Sequence, residues 1–579
     1  MILKIPEALT YYQNSPTQNT PLKSLDPAKL SRGRLFSNFG ETNFSLADLA
    51  KNPEKLNNLE SDLSFIYYSP QDNSLTLVRD NCGATPLFYA PTQSGRVVCA
   101  FDLPTLLAAL DFTPVPDELA LYDFLATHYR YVFRVPSRTF YQGIFQVPAG
   151  HYVKIKGQDI QVLPWLKLTF DATCASLSPQ EAADFYLETL DENVQARLKA
   201  LAGEKFTFTV SSGLDSATVT SLAQRYLDYP LDVWYMAYGS VKNTPYDETP
   251  GVLELVKAKG FQLHRLDLAA PSLLADTEKL ISLTSAPIIT VTWLAHFKLA
   301  QAVKSAGFDF LFSGLGGDES LAGEFEHFFL FFADLLAEGK NELLERETEA
   351  WIKLHNHPVF RKSPQVRDSY FERNLNFQTR EIFPDQIRYR AHQKFFNPEW
   401  IQACEAQIPP PPMPTPYPFF LSNRLYQEMT YETSPPTLWS EALSGIACGV
   451  KGIFPMASVR LFRKALSYPG TSKYENGFSK MILRRSTQGL LPDSSRLNPV
   501  KTGFNAPLDE WYLDPALTQE TLDFLKASPL AKKNWLKPGA LEEILLTHQR
   551  GENNFMMLIW PLINTAFFLQ QLENSPKRP

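Results

Sequence analysis

Two rhythms of apolar and polar positions divide the chain. Over the first ~165 residues, short apolar-rich runs at 63–68, 75–78, 97–101 and 151–155 are separated by turn residues, which predicts β-strands. A more polar stretch, 171–181, reads as a linker. From about residue 179 the spacing changes to long amphipathic helices alternating with apolar strands. Helices are expected over 182–202, from about Ser216, and near 251–259; strands are expected over 206–210, 233–237 and 308–312. That alternation predicts a parallel sheet covered by helices. After Gly323 come aromatic-rich residues that end in a proline run at 409–412. The segment 324–418 is expected to form helices plus a stiff extended connector. It reads either as a structural insertion over the sheet or as a substrate cover. The last third looks helical, and no internal repeat is visible.

Length and composition refine this picture. A chain of 579 residues exceeds one ordinary domain, and the change of rhythm puts the division at 1–178 and 179–579. With 44% hydrophobic and 20% charged residues the chain is globular, with a sizeable core. A net charge of −7 gives no general basic face for nucleic acid. Five scattered cysteines without a CxxC pair read as reduced thiols. No apolar run is long enough for a membrane span or a signal peptide, so a cytoplasmic protein is expected.

Candidate chemistry concentrates in two turns. In Phe206-Thr-Phe-Thr-Val210-Ser-Ser-Gly-Leu-Asp-Ser-Ala217 an alternating strand runs through a Ser/Gly turn into a helix. Backbone N–H groups and hydroxyls at a helix N-terminus cradle anions. Asp215 in that cradle would repel phosphate unless a cation stands between them, and Mg²⁺ is the expected one. No Gly-Lys-Ser/Thr follows, so this is not a Walker A loop. The alternative is an ordinary strand-to-helix turn capped by Ser and Asp. A second buried strand, Phe308-Asp-Phe-Leu-Phe-Ser-Gly-Leu-Gly-Gly-Asp-Glu319, also ends in a glycine-rich acidic turn. Ligands of open parallel sheets gather at the carboxyl ends of strands, which makes Asp318 a second candidate for the same metal.

These segments resemble the asparagine synthetase superfamily. Ser211-Ser-Gly-Leu-Asp-Ser-Ala217 is similar to its pyrophosphate loop, usually Ser-Gly-Gly-Leu-Asp-Ser-Ser, and Ser313-Gly-Leu-Gly-Gly-Asp-Glu319 to its second glycine-acid turn. Tyr246-Asp-Glu-Thr249, Lys480-Met-Ile-Leu-Arg484, Leu490-Leu-Pro492 and Lys501-Thr-Gly-Phe504 resemble further signatures. So do Arg79-Asp-Asn-Cys-Gly-Ala-Thr-Pro-Leu-Phe-Tyr89 and Val147-Pro-Ala-Gly-His-Tyr152 for the N-terminal domain. The resemblance implies an α/β protein in two parts. The first is a β-rich class II glutamine-amidotransferase-like (Ntn-type) domain. The second is a parallel-sheet ATP-pyrophosphatase domain of the adenine nucleotide α-hydrolase-like kind. It further implies ATP and Mg²⁺: Asp215 and Asp318 on the metal, Ser211, Ser212, Gly213 and Ser216 about the phosphates, and Val210, the strand at 233–237 and Gly314 about adenosine. Lys501 would stabilise charge as an amine attacks an acyl-adenylate.

The departures from the family pattern narrow the function. Glutamine-dependent members carry a cysteine after the initiator methionine; here the second residue is Ile2, so glutamine is not expected to supply nitrogen. Ser212 replaces a glycine, and Ala217 replaces a hydroxyl residue with the loss of one phosphate donor. Leu315 stands where asparagine synthetases usually place a glutamate and β-lactam synthetases a tyrosine. The leading expectation is an AMP-forming amide ligase whose amine belongs to the substrate, as in lasso-peptide macrolactam cyclases, with a partner protease or leader-binding protein. A second is ammonia-dependent amidation of a small amino-acid-like acid. A third is a non-catalytic binding homologue. No nucleic acid or membrane partner is expected.

Overall fold

The computed structural model describes residues 2–4, 8–11, 20–21, 31–32, 35–36 and 46–575, apart from 59, 62, 94, 240–241, 243–246, 269–271, 355–361, 386–388 and 500–505. Among the described residues the N-terminal part contains three antiparallel sheets, one of six strands, one of five and a two-stranded pair. Side chains alternate across a strand, and both faces of the Phe88–Pro91 and Arg96–Ala100 pair are apolar. Tyr89, Val97 and Cys99 pack on Ile66, Leu77 and Val153 of the facing sheet. Phe88, Ala90, Val98 and Ala100 face the other way, into a core shared with C-terminal helices.

The stretch expected as a linker is folded instead. Asp171 caps a short helix, Ala172–Ala175, and Ser178 with Glu181 forms a capping box at the start of α1, Pro179–Ala200. Two N-cap residues so close together read as polar linker composition while starting two helices.

β1, Phe206–Thr209, is followed by α2, Leu214–Ala223; β2 is Asp232–Tyr238 and β3 Gln262–Leu268. α3, Thr292–Ser305, feeds β4, Phe310–Phe312. The expected insertion opens with α4, His327–Ala337, and is followed by α5, Phe420–Thr430, and α6, Ser434–Cys448, which feeds β5, Lys451–Ile453. α7, Met556–Asn574, lies near the end of the chain. The strands form one parallel sheet in the order β3-β2-β1-β4-β5. α1 and α2 cover one face through Tyr186, Val194, Ala217 and Leu222 against Phe208 and Val233. α3 and α6 cover the other, where Leu299 and Val303 meet Trp234, Leu311 and Val450.

The aromatic insertion turns its apolar side inward. Phe328, Phe331 and Phe332 pack with Trp351, Tyr370 and Tyr474, and with Cys82 and Ala84 of the N-terminal domain. Arg134 donates to the Tyr389 hydroxyl at 2.6 Å, and Trp400 Nε1 donates to Glu118 at 2.6 Å. The segment 324–418 therefore fastens the two halves together. No described helix is long and apolar enough to cross a membrane, and all five cysteines are free thiols.

Candidate active site

From β1 the chain moves outward to β2 and β3; when it returns it adds β4 and β5 on β1's other side. Such a reversal opens a crevice between the carboxyl ends of β1 and β4, where open α/β sheets bind ligands. The two acidic turns leave from those two ends.

At β1, the Val210 N–H bonds to the Trp234 carbonyl at 2.9 Å and extends the strand's pairing to the edge. The turn is then closed by hydroxyls. Ser211 N–H donates to Ser216 Oγ at 3.0 Å, the two hydroxyl oxygens lie 2.8 Å apart, and Gly213 N–H donates to Ser211 Oγ at 3.2 Å. Helix α2 begins at Leu214 with Gly213 as its N-cap, about a half-turn earlier than the sequence suggested. Asp215 thus sits inside the first helical turn, where the helix dipole favours its negative charge. No side chain caps this helix. Ser212 tolerates the loss of the family glycine because its φ is not positive, and its hydroxyl donates to Glu248 Oε1 at 2.8 Å. Ala217 is fully buried against the sheet. Its methyl fills core space, so the expected loss of a phosphate donor at the mouth does not follow.

The second turn fits against the first at van der Waals limit. A Cβ on Gly314 would lie 2.5 Å from Ser216 N, and one on Gly317 would lie 2.5 Å from Asp215 Oδ1. Gly316 has φ +97°, and its Cβ would fall 2.8 Å from Ala457 N. Space demands glycine at all three, and conformation demands it at Gly316 as well. The close approach sets Asp215 and Asp318 about one ammonium. Lys480 Nζ donates to Asp215 Oδ2 and lies 2.5 Å from Asp318 Oδ1. Lys480 itself is left-handed, at φ +54°, a conformation costly for a side-chain-bearing residue. The neighbouring Glu319 is buried, and burial first, then the Asp318 charge, pushes its carboxyl up to about 8.

Two carboxylates converging on a cation from adjacent strands fit Mg²⁺, which takes one or two carboxylates and completes its shell with phosphate oxygens and water. The Lys480 ammonium occupies the place of such a cation. Among the described residues no cluster of three or more His, Cys, Asp or Glu offers an all-protein cage. Of the sequence candidates, Val210, Ser211, Ser212, Gly213, Asp215, Ser216, Gly314 and Asp318 come together here. Lys501 and Tyr246 lie outside the described residues. Lys480 and Glu248 lie inside the sequence motifs, but the sequence alone assigns them no role, because the cation between the acidic turns becomes visible only in the fold.

The site therefore lies at the reversal point of the parallel sheet, between the start of α2 and two carboxylates that share one ammonium. Residues 186–571 match the asparagine synthase family, and residues 29–166 match the glutamine amidotransferase domain family. The chain belongs to the asparagine synthase family. It is 25% identical over 301 residues to amidase chyE of Penicillium rubens, covering 49% of this chain and 42% of that protein. It is 24% identical over 297 residues to amidase chry2 of Gibberella zeae, with the same two shares. The chain thus spans less than half the length of these curated relatives.

Proposed function

We propose that this chain activates a carboxylate with ATP, releases pyrophosphate while holding an acyl-adenylate, and passes the acyl group to an amine. The convergence of Asp215 and Asp318 on one cation position carries this reading. Bound there, Mg²⁺ would offset the charge of the phosphates and of the leaving pyrophosphate. The helix α2 donors and the Ser211 and Ser216 hydroxyls would hold the phosphates, and Val210 with β2 would border adenosine. Lys501 would stabilise the charge that develops as the amine attacks.

In this reading the acceptor is ammonia or an amine carried by the substrate. The amidase name of the relatives accords with amide chemistry. The inward packing of 324–418 supports a small, amino-acid-like acid ahead of macrolactam formation on a peptide with its partner protease or leader-binding protein.

ATP–pyrophosphate exchange against a panel of amino acids and short peptides tests this. Exchange with a small acid, with AMP as product, is the expected result. Release of ADP overturns the reaction class, and a peptide that loses one water restores the macrolactam reading.

A further inference from the structure

The residues that meet at the crevice all come from the second domain, yet the N-terminal domain reaches the second acidic turn from two directions. The first arm starts in the loop Arg79–Thr85, which is folded by its own charges. Asp80, fully buried, accepts from the Ala84 and Thr85 N–H groups at 2.8 Å each. Arg79 donates to the Gly83 carbonyl at 2.9 Å and to the Val147 carbonyl at 2.8 Å. Those bonds stay inside the N-terminal domain and hold Asn81 between them. Asn81 Nδ2 donates outward, to the Ala457 carbonyl at 3.2 Å. Ala457 is the residue against which Gly316 lies, so close that a Cβ on Gly316 would fall 2.8 Å from Ala457 N.

The second arm meets the other end of the turn. Gly323 N–H donates to the Asp318 carbonyl at 2.9 Å, and no room for a Cβ exists between Gly323 and the Asp318 carboxylate. The Glu324 N–H lies 3.2 Å from His327 Nδ1, and His327 Nε2 lies 2.8 Å from Glu428 Oε2, with both side chains fully buried. Arg130 of the N-terminal domain donates to Glu428 at 3.3 Å and to Glu326 at 3.1 Å. Between the two arms stands the short helix Gly317–Leu321, which carries Asp318. Five residues form too few internal hydrogen bonds to fix a helix by themselves. Contacts at its two ends therefore set where the Asp318 carboxylate points.

We propose that the N-terminal domain is a template for the metal-binding turn, with Asn81 and Arg130 as positioning residues that set Asp318 for Mg-nucleotide. The inference rests on the ligase reading above, in which Asp318 holds the metal. Neither residue is among those gathered at the crevice. Asn81 acts through Ala457 on Gly316, and Arg130 through Glu428 and His327 on the backbone at Gly323 and Glu324. Mg²⁺ demands near-ideal octahedral geometry, so a small displacement of Asp318 weakens metal binding. Adenosine, bordered by Val210 and β2, is unaffected by the same displacement.

The test is calorimetric titration of the full chain with ATP at a series of MgCl₂ concentrations, and with AMP as a probe that needs no metal. Asn81→Ala removes one arm and Arg130→Gln the other. Tyr122→Phe is the control: it removes a bond of the N-terminal domain that lies outside both arms, from the Tyr122 hydroxyl to Glu405 at 2.9 Å. Both arm variants are expected to raise the Mg²⁺ concentration for half-maximal ATP binding by about tenfold or more, the usual effect of removing the partners that orient a metal ligand. AMP affinity, and every affinity of Tyr122→Phe, should stay within about twofold of wild type. Asn81→Ala carries the comparison alone if Arg130→Gln fails to fold. A wild-type Mg²⁺ requirement in the folded arm variants overturns the proposal. So does a rise in all three variants that tracks their loss of Tm, which would make the contacts a clasp between domains and nothing more. Absence of pyrophosphate exchange in the wild-type chain overturns the ligase reading, a result distinct from the Mg²⁺ comparison, which is read from binding.

Discussion

At the residue scale the site is an arrangement of charge held by missing side chains. Lys480 offsets two carboxylates that glycine turns have forced together. Lys480→Met would leave them facing each other, and Mg²⁺ would then substitute for the ammonium. Its Tm is expected to rise more than the wild type's on adding millimolar MgCl₂, while ATP affinity falls about tenfold; equal Mg²⁺ shifts would refute the shared position. Gly317→Ala places a methyl on the Asp215 carboxylate. It is expected to cost about 1–3 kcal/mol of stability, as overpacking does, and to reduce pyrophosphate exchange by more than about 100-fold if the phosphates are held as charge-stabilisation arguments imply. Both acidic residues could be read from the chain, because a carboxylate in an anion-binding turn is a contradiction that only a cation resolves. Lys480 could not be so read: it lies 265 residues from Asp215, and its own run gives no hint of its target.

At the scale of elements, legibility followed burial. β2, buried along Val-Trp-Tyr-Met-Ala, was plain in the sequence. β3 was not, since its Gln-Leu-His-Arg-Leu-Asp-Leu alternates as an edge strand with one wet face and resembles a polar connection. Helix α7 shows a different compromise. Pro561 sits inside it and cannot donate to the preceding turn. One turn on, Asn564 Nδ2 donates to the Trp560 carbonyl at 3.0 Å, and its Oδ1 accepts from the buried Ile288 N–H at 3.1 Å. Asn564→Leu keeps the volume but strands that N–H, and is expected to cost about 1–3 kcal/mol in denaturant unfolding.

At the scale of the molecule, a buried ionic cluster joins the halves. Arg130, from the N-terminal domain, contacts Glu326 at 3.1 Å and Glu428 at 3.3 Å. Arg424 lies 3.1 Å from Glu428, and His327 Nε2 bonds the same carboxylate at 2.8 Å. The Glu324 N–H lies 3.2 Å from His327 Nδ1. Burial alone would raise the Glu428 carboxyl, but His327, Arg424 and Arg130 overcome it and hold it down at about 2. Because the folded value is depressed, this stabilisation is complete above the ordinary glutamate value of about 4.3 and is lost as pH falls towards 2. Glu428→Gln is expected to destabilise by about 3–5 kcal/mol at neutral pH, as unpairing buried charge does. The gap between the two melting curves should close as pH falls below about 4. Arg130 lies 196 and 298 residues from its partners, so no local pattern could announce the clasp, although both domains were separately legible.

That stitching extends to the end of the chain: Tyr141 packs edge-on against Phe568 at 5.2 Å, and Phe140 lies 6.1 Å from the same ring. On a ribosome making about 5–20 residues per second, roughly 430 residues separate the two sides, a wait of about 20–90 s. Throughout that interval the aromatic side of the N-terminal domain is a nascent surface without its cover. Stop codons or slow codons late in the message should therefore send the first domain into aggregates or onto chaperones, although every residue of its own fold has already been made.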